Sequence, residues 1–252
     1  MRRRALVAAV GIGLVAIAAA SISRPAKLPS SFPDVILWAW EERQDLRFIQ
    51  PGMVGIAFLE RTVWLLPQRV RSLPRTQPLI YTPGTPLIAT VRLEIPRRSN
   101  EPLPPAREAA LAVAEAATGR SLRSLQVDFD ARMSDRAWYI QFLRELRREV
   151  PQSLPITITA LESWCEEDRP WFAQMAIADA TPMMFRMGPD ENRTPTTFPA
   201  SICNASAGVS TDEMPERIPH GARRIYIFHP APWTKSAYDL AMERVRVWRS
   251  QQ

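Results

Sequence analysis

The chain has 252 residues, of which 46% are hydrophobic, so it can bury a sizeable core and suits one large α/β domain better than two small ones. Its formal charge is +6, but three of the positive charges belong to Arg2, Arg3 and Arg4 at the N-terminus. Beyond them the arginines are interspersed with acidic residues, and no basic run carries interleaved aromatic residues. The composition therefore argues against a nucleic-acid partner.

The N-terminus has the layout of a secretory signal, because three arginines precede an apolar run over residues 5–22. The run approaches the roughly 20 residues that span a bilayer, so an uncleaved signal anchor stays open. We predict a signal peptide or signal anchor over residues 1–23, a linker with proline and serine over 24–33, and a single domain over 34–252. The protein is expected to be exported, either to the periplasm or anchored facing it. It would then touch the membrane only through a retained N-terminal segment.

Eight short apolar runs follow in the predicted domain. Several are continuously apolar in their first half, which is typical of parallel strands that are covered on both faces. Polar residues gather at their C-terminal ends, so one side of the sheet is the expected functional edge. The runs cover residues 35–40, 53–59, 87–95, 124–131, 156–164, 180–187, 201–208 and 224–230.

Helical patterns alternate with these runs over residues 104–120, 134–151 and 234–250, with a shorter helix over 170–177. This alternation implies parallel pairing with right-handed crossovers. Residues 62–86 instead predict a hairpin between the second and third strands, and no helix is expected between the sixth and seventh. The predicted fold is α/β, a single irregular (β/α)8 TIM-like barrel with some helices missing. An open, doubly wound α/β sheet is the alternative.

Carboxylates gather where a barrel carries its reactive groups, at the C-terminal ends of the strands. Asp128 and Asp130 share one face of the fourth strand, and two such close carboxyl groups cannot both ionise freely in a dry site. This asymmetry suits acid and base roles, with Asp130 as the acid and Asp128 tuning it. Glu162 on the fifth strand and Glu41 after the first complete the candidate catalytic residues.

A structural role for the two aspartates is the competing interpretation. Asp128 and Asp130 could accept backbone amides and pair with Arg92 or Arg186, closing the barrel with ion pairs and reacting with nothing. The sequence leaves both interpretations open.

Four tryptophans lie near the same strand ends. Flat apolar rings beside hydrogen-bonding carboxylates are a common way to hold sugar rings, although the same tryptophans could simply fill the barrel. The candidate substrate-binding residues are Trp38, Trp40, Trp164, Trp233, Arg132 and Arg186.

Other chemistries lack their motifs. There is no glycine-rich phosphate loop and no G-x-S-x-G sequence, and Cys165, Cys203 and the two histidines show no zinc-ligand spacing. No cofactor and no metal is expected. Magnesium held by acidic oxygens, as in a phosphoesterase, is a minor alternative. The two cysteines could form a disulfide or remain buried thiols.

The segments WAWEERQDLRF, VGIAFLERT, LQVDFDARMSDRAWY, ITITALESWC and TPMMFRMG resemble an uncharacterised bacterial family of exported proteins, classed as a domain of unknown function. More distantly, Asp128-x-Asp130 is similar to the D-x-D-x-E strand of chitinase-like glycoside hydrolases, in which the glutamate donates the proton. Arg132 stands at that third position here and cannot donate a proton at working pH. This resemblance implies that Asp130 or Glu162 is the acid, or that the site binds a sugar without cutting it.

We therefore expect an exported glycoside-hydrolase-like protein that acts on a cell-envelope or extracellular carbohydrate by carboxylate acid and base chemistry. The alternative is a non-catalytic carbohydrate-binding or envelope scaffold module.

Overall fold

The computed structural model describes residues 26–96, 101–167, 169–185 and 195–251. The predicted signal peptide or anchor over residues 1–23 lies outside these ranges, as does Arg186. Among the helices of the described ranges, none combines the length and apolar character needed to cross a membrane.

Eight parallel strands form the centre of the protein. The first strand pairs with the second on one side and with the last on the other, so the sheet closes into a ring. This closure confirms the predicted irregular TIM-like barrel and excludes the open, doubly wound sheet. In order around the barrel, the strands are β1 (Val35–Ala39), β3 (Gly55–Leu66), β6 (Leu87–Glu94), β7 (Ser124–Asp128), β8 (Ile156–Leu161), β9 (Asp179–Met183), β10 (Ser206–Ser210) and β11 (Arg224–Phe228).

A hairpin extends from the barrel, as the sequence predicts between the second and third barrel strands. β3 runs on to Leu66, the chain turns through Gln68 with a φ of 58°, and β4 (Arg69–Pro74) returns antiparallel to β3. Two short strands, β2 (Gln44–Asp45) and β5 (Leu79–Ile80), form a separate parallel pair.

Five α-helices lie in the described ranges, and they follow only some of the barrel strands. α2 buries one stripe of side chains that includes Tyr139, Phe142, Leu143 and Leu146. The connections after β1, β3 and β10, all within the described residues, contain no α-helix, which makes the barrel irregular. The helices are α1 (Ala106–Ala114), α2 (Arg136–Glu149), α3 (Glu162–Glu167), α4 (Arg169–Phe172) and α5 (Lys235–Ser250).

Several strand boundaries differ from the sequence prediction: β3 runs past the predicted end at residue 59, β7 stops before the predicted end at residue 131, and the fifth and seventh barrel strands differ as follows. The seventh barrel strand was expected over residues 201–208, but Ser201–Asn204 forms a 3-10 turn and β10 begins at Ser206. Cys203 of this turn is joined to Cys165 by a disulfide, which decides between the two alternatives for the cysteines. The fifth barrel strand ends at Leu161 because α3 begins directly after it.

The segment predicted as a linker, residues 24–33, packs against the barrel in its described part. Leu28 and Phe32 are buried, and Phe32 belongs to the cluster of side chains inside the barrel. The Phe32 ring lies so close to Gly55 that a Cβ there would approach it to 2.9 Å. Phe32 therefore blocks the N-terminal end of the barrel, and only the opposite end is left for a site.

Inside the barrel, Trp38 lies across the interior just below its C-terminal end. Its indole Nε1 donates a hydrogen bond of 3.0 Å to Gln126 Oε1, which also accepts one of 3.1 Å from Thr90 Oγ1. The ring edge passes over Gly208, where a Cβ would lie 3.4 Å from Trp38 Cη2. These contacts hold the indole of Trp38 in place, so that Trp38 forms the floor of the space at the C-terminal end of the barrel.

Candidate active site

A cleft of about 470 Å³ opens at the C-terminal ends of the barrel strands. It brings together three of the four predicted carboxylates and two of the four predicted tryptophans. The residues that line it are Trp38, Trp40, Thr90, Arg92, Asp128, Asp130, Thr159, Leu161, Glu162, Ser163, Met183, Phe185 and Phe228.

Asp128, the last residue of β7, is the deepest carboxylate of this cleft and is 8% exposed. Thr159 Oγ1 donates a hydrogen bond of 2.7 Å to Asp128 Oδ1, and Arg92 Nη1 lies 3.7 Å from Asp128 Oδ2. Burial raises the pKa of Asp128, and the neighbouring Asp130 raises it further, whereas Arg92 and Thr159 act in the opposite direction. The net shift is upward, so this carboxyl group holds a proton more tightly than a free aspartate.

Asp130 lies two residues further along, beyond the end of β7 and not on the strand as predicted, and it is exposed at the mouth of the cleft. The walls of the cleft take water away from its carboxyl group and raise its pKa; Glu94 adds to this rise and Arg92 opposes it. Both carboxyl groups therefore hold a proton more tightly than a free aspartate does. A raised pKa suits a carboxyl group to the role of a general acid.

Glu162 supplies a third carboxylate from the next strand. It is the first residue of α3, directly after β8, and it lies half-buried in the wall of the cleft. The strand-to-helix junction places it there, because a side chain at the C-terminal end of a barrel strand lies at the rim. Across the described ranges, no group of three or more His, Cys, Asp or Glu residues is arranged to hold a metal ion.

Arg92 connects the carboxylates to the aromatic wall. It is paired in register with Asp128 on the neighbouring strand, and its Nε bonds to Glu94 Oε1. Its guanidinium lies over the Trp40 ring, 5.3 Å from the ring centroid. Burial would lower the pKa of Arg92, but the carboxylates around it raise the pKa above the ordinary value, so the group stays charged. Arg92, one of the two arginines named as possible partners, therefore lies beside Asp128, and the cleft stays open next to this ion pair.

Aromatic rings form the opposite side of the cleft. Phe185 and Phe228 are stacked with centroids 5.8 Å apart and planes at 3°, and Trp38 meets each of them edge-on at 6.5 Å. Trp40 meets Phe228 edge-on at 6.1 Å. Sequence reasoning missed both phenylalanines, although Phe228 lies two residues after the inward-facing Tyr226 of β11 and could have been found by that alternation.

The remaining candidates lie elsewhere. Trp164 is buried and packs edge-on against Trp171, with centroids 5.0 Å apart, between the barrel and its helices. Trp233 is also buried, and its Nε1 donates to the backbone oxygen of Trp38, so it supports the floor from outside the cleft. Glu41 is exposed and does not line the cleft. Arg132 lines a smaller neighbouring cavity.

Trp164 and Trp233 lie in the core because burying their large rings stabilises the fold more than exposure at the rim would. Glu41 is separated from the cleft because the loop after β1 turns away there. Arg75 fastens this loop with hydrogen bonds from its guanidinium to the backbone oxygens of Trp40 and Glu42.

The protein is thus a closed, irregular TIM-like barrel with a cleft of carboxylates and aromatic rings at one end. Residues 83–179, from the loop before β6 to the first residue of β9, match a domain of unknown function (DUF3142). The matched stretch contains Arg92, Asp128, Asp130 and Glu162. No curated protein and no solved structure matches the chain.

Proposed function

We propose that the protein is an exported, glycoside-hydrolase-like protein that acts on a cell-envelope or extracellular carbohydrate. The observation that carries this proposal is one cleft in which Asp128, Asp130 and Glu162 face a wall of aromatic rings. Ring faces pack against the apolar faces of sugars, while carboxylates accept hydrogen bonds from hydroxyl groups.

Each carboxylate has a role in this proposal. Asp130 is the acid that protonates the leaving oxygen, because it lies at the open side of the cleft and its pKa is raised. Asp128 tunes Asp130 as the adjacent carboxyl group. Glu162 is the second carboxylate that glycoside hydrolysis requires, acting as a nucleophile or as the base that activates water. Glu41 has no part in this scheme because it lies outside the cleft.

Export is part of the same proposal. The disulfide between Cys165 and Cys203 supports it, because such bonds persist in oxidising compartments such as the periplasm. The bond ties the 3-10 turn before β10 to α3, the helix that carries Glu162.

The experiment is a turnover assay of the purified domain against a panel of envelope glycans, with products separated by chromatography. D130N, D128N and E162Q should each lose turnover. D239N is the matched control, since Asp239 lies on the outer helix α5 in an ion pair with Lys235. If D130N cleaves the panel as fast as the wild type does, Asp130 is not the acid.

A non-catalytic carbohydrate-binding or scaffold module is the second candidate, and two observations favour it. Arg92 lies 3.7 Å from Asp128 and pairs with Glu94, and Arg132 stands where the chitinase-like pattern has its proton donor. This candidate expects heat of binding in a calorimeter with no product in the same sample. Product formation would eliminate it.

A further inference from the structure

A second, smaller cavity of about 130 Å³ adjoins the cleft. The two cavities share Arg92, Asp128 and Asp130 in their walls, so these side chains stand between them. A ligand held over Asp130 therefore has space on both sides of the carboxyl group.

The two cavities differ in chemistry. The larger one is lined by the aromatic rings described above, whereas the smaller one is lined by charged side chains, with Glu94 and Arg132 added to the three shared residues. Three apolar residues also border it: Leu93 and Phe129 are buried in the core, and Ile95 is partly buried and packs against that core. The smaller cavity thus suits a group that forms hydrogen bonds and not an apolar one.

The size of the smaller cavity fits part of one sugar. Its volume of 130 Å³ corresponds to about four water molecules at roughly 30 Å³ each, which is room for the hydroxyl-bearing edge of a ring. Arg132 is exposed, and its backbone N–H donates a 3.1 Å bond to Asp135 Oδ2, which holds the loop that carries it.

We propose that the smaller cavity is a second sugar subsite, so that the substrate is an oligosaccharide with sugar units on both sides of Asp130, and not a glycoside of a lipid or an aromatic group. This inference rests on the proposed function and specifies its substrate class. Arg132 is the specificity-determining residue, because it borders the smaller cavity and not the aromatic one.

The test compares methyl and p-nitrophenyl glycosides of glucose, galactose and N-acetylglucosamine with the corresponding di- to hexasaccharides. We expect kcat/KM of the wild type to favour the oligosaccharides. R132A should lower kcat/KM for oligosaccharides about tenfold, the usual effect of losing a hydrogen bond to a charged group, and leave the p-nitrophenyl glycosides unchanged. W40A should lower both classes, because Trp40 lines only the aromatic cavity.

Binding measured by calorimetry with D130N separates the inference from the proposed function. If R132A weakens the binding of oligosaccharides but not of monosaccharide glycosides in the D130N background, the second subsite stands even where no turnover is found. If R132A changes neither class, or both equally, the second subsite is overturned while the proposed function survives. If no saccharide binds, both fail. Circular dichroism of R132A checks that the exposed substitution leaves the fold intact.

Discussion

Asp128 and Asp179 are two buried aspartates of the barrel with similar partners, since each accepts a hydrogen bond from a hydroxyl group and feels the charge of an arginine. The two lie at opposite ends of the barrel. Asp128 at the rim accepts a hydrogen bond of 2.7 Å from Thr159 of the adjacent strand and lies near Arg92. Asp179, at the N-terminal end of the barrel, accepts a hydrogen bond of 2.5 Å from Ser206, and the charge of Arg224 acts on it. Burial raises the pKa of both, to about 6 for Asp179.

The difference lies beyond these first contacts. Asp128 opens onto the cleft and has Asp130 two residues further on, whereas Asp179, the first residue of β9, is 3% exposed and borders neither of the two rim cavities. A hydroxyl donor and an arginine thus accompany a buried carboxylate in either setting. What distinguishes the candidate site is the hollow, the second carboxylate and the aromatic wall. The following experiments test whether this distinction separates function from stability.

The largest expected effect is on turnover at the rim. D130N should lower kcat by roughly 10²- to 10⁴-fold, the usual contribution of a general acid, because an amide cannot donate the required proton. The change is isosteric at an exposed position, so the melting temperature should stay close to that of the wild type. Steady-state kinetics and thermal unfolding on the same preparation measure both quantities.

Asp179 supplies the matched control, since D179N is the same substitution at a buried position that borders neither rim cavity. It should keep the turnover of the wild type. Equal losses of turnover in D130N and D179N would show that both substitutions act through the fold. The distinction between the rim site and the buried Asp179 would then fail.

The next largest effect is that of Asp179 on the free energy of unfolding. Because the pKa of Asp179 is about 6 in the folded protein and 3.8 in a free aspartate, the folded state binds the proton more tightly. Folding stability should therefore fall as pH rises from about 4 to about 6 and then remain lower. A shift of about two pKa units corresponds to roughly 3 kcal/mol, so D179N should be more stable than the wild type by up to that amount at pH 8.

Urea unfolding of both proteins at intervals from pH 4 to pH 8 measures this difference. The gain in stability from D179N should largely vanish near pH 4, where the side chain at position 179 of the folded protein is neutral in both proteins. A gain that does not depend on pH would mean that the substitution acts through packing and not through the proton.

The barrel itself was predictable because its strands are short runs that are apolar on both faces. Asp128 and Asp130 were predicted together from strand alternation, and both line the cleft although β7 already ends at Asp128. Thr159 was available from the alternation in Ile156–Leu161, where threonines occupy every second position. Arg92 was harder, since its place opposite Asp128 depends on the register between β6 and β7, which no local pattern encodes.

The ends of the strands were not predictable in the same way. Glu162 and Glu41 both follow an apolar run, yet only Glu162 lines the cleft, because α3 begins there while the loop after β1 leads Glu41 to the surface. The direction of such a turn depends on distant contacts, here the bonds from Arg75 to that loop. The late start of β10 has a similar cause, since the preceding turn is bonded to α3 through Cys203.

A smaller effect is expected from the rim arginine. Arg92 lowers the pKa values of Asp128 and Asp130, so removing its charge in R92Q should raise both pKa values further. Asp130 would then keep its proton to higher pH, and the alkaline limb of the pH–rate profile, where the general acid is deprotonated, should move to higher pH with it. Carbon-13 NMR of the labelled carboxyl groups follows each titration directly.

R92K should restore most of the wild-type titration because it keeps the charge. The pKa of Asp179 should be the same in all three proteins, since Arg92 lies at the other end of the barrel. A parallel shift of Asp179 in R92Q would reveal a general change of the barrel instead of a local one.

The smallest effect is expected from the clasp behind Trp40. The Arg75 guanidinium donates to the backbone oxygens of Trp40 and Glu42, and its Nε donates to Gln77 O at 2.8 Å. A lysine cannot span these acceptors, so R75K should loosen the Trp40 wall and raise KM a few-fold with little change in kcat. R71K, at an exposed position of the adjacent hairpin, is the control. A fall in kcat with unchanged KM in R75K would contradict this role.

The most direct measurement is a saccharide titration followed by the indole N–H signals of the eight tryptophans in nitrogen-15 NMR. If carbohydrate binds in the cleft, the signals of Trp38 and Trp40 move as di- or longer saccharides are added, while Trp164 and Trp171, buried behind the barrel, stay unchanged. Shifts confined to tryptophans outside the cleft, or no shift with any saccharide of the panel, would contradict the assignment of this rim as a carbohydrate site.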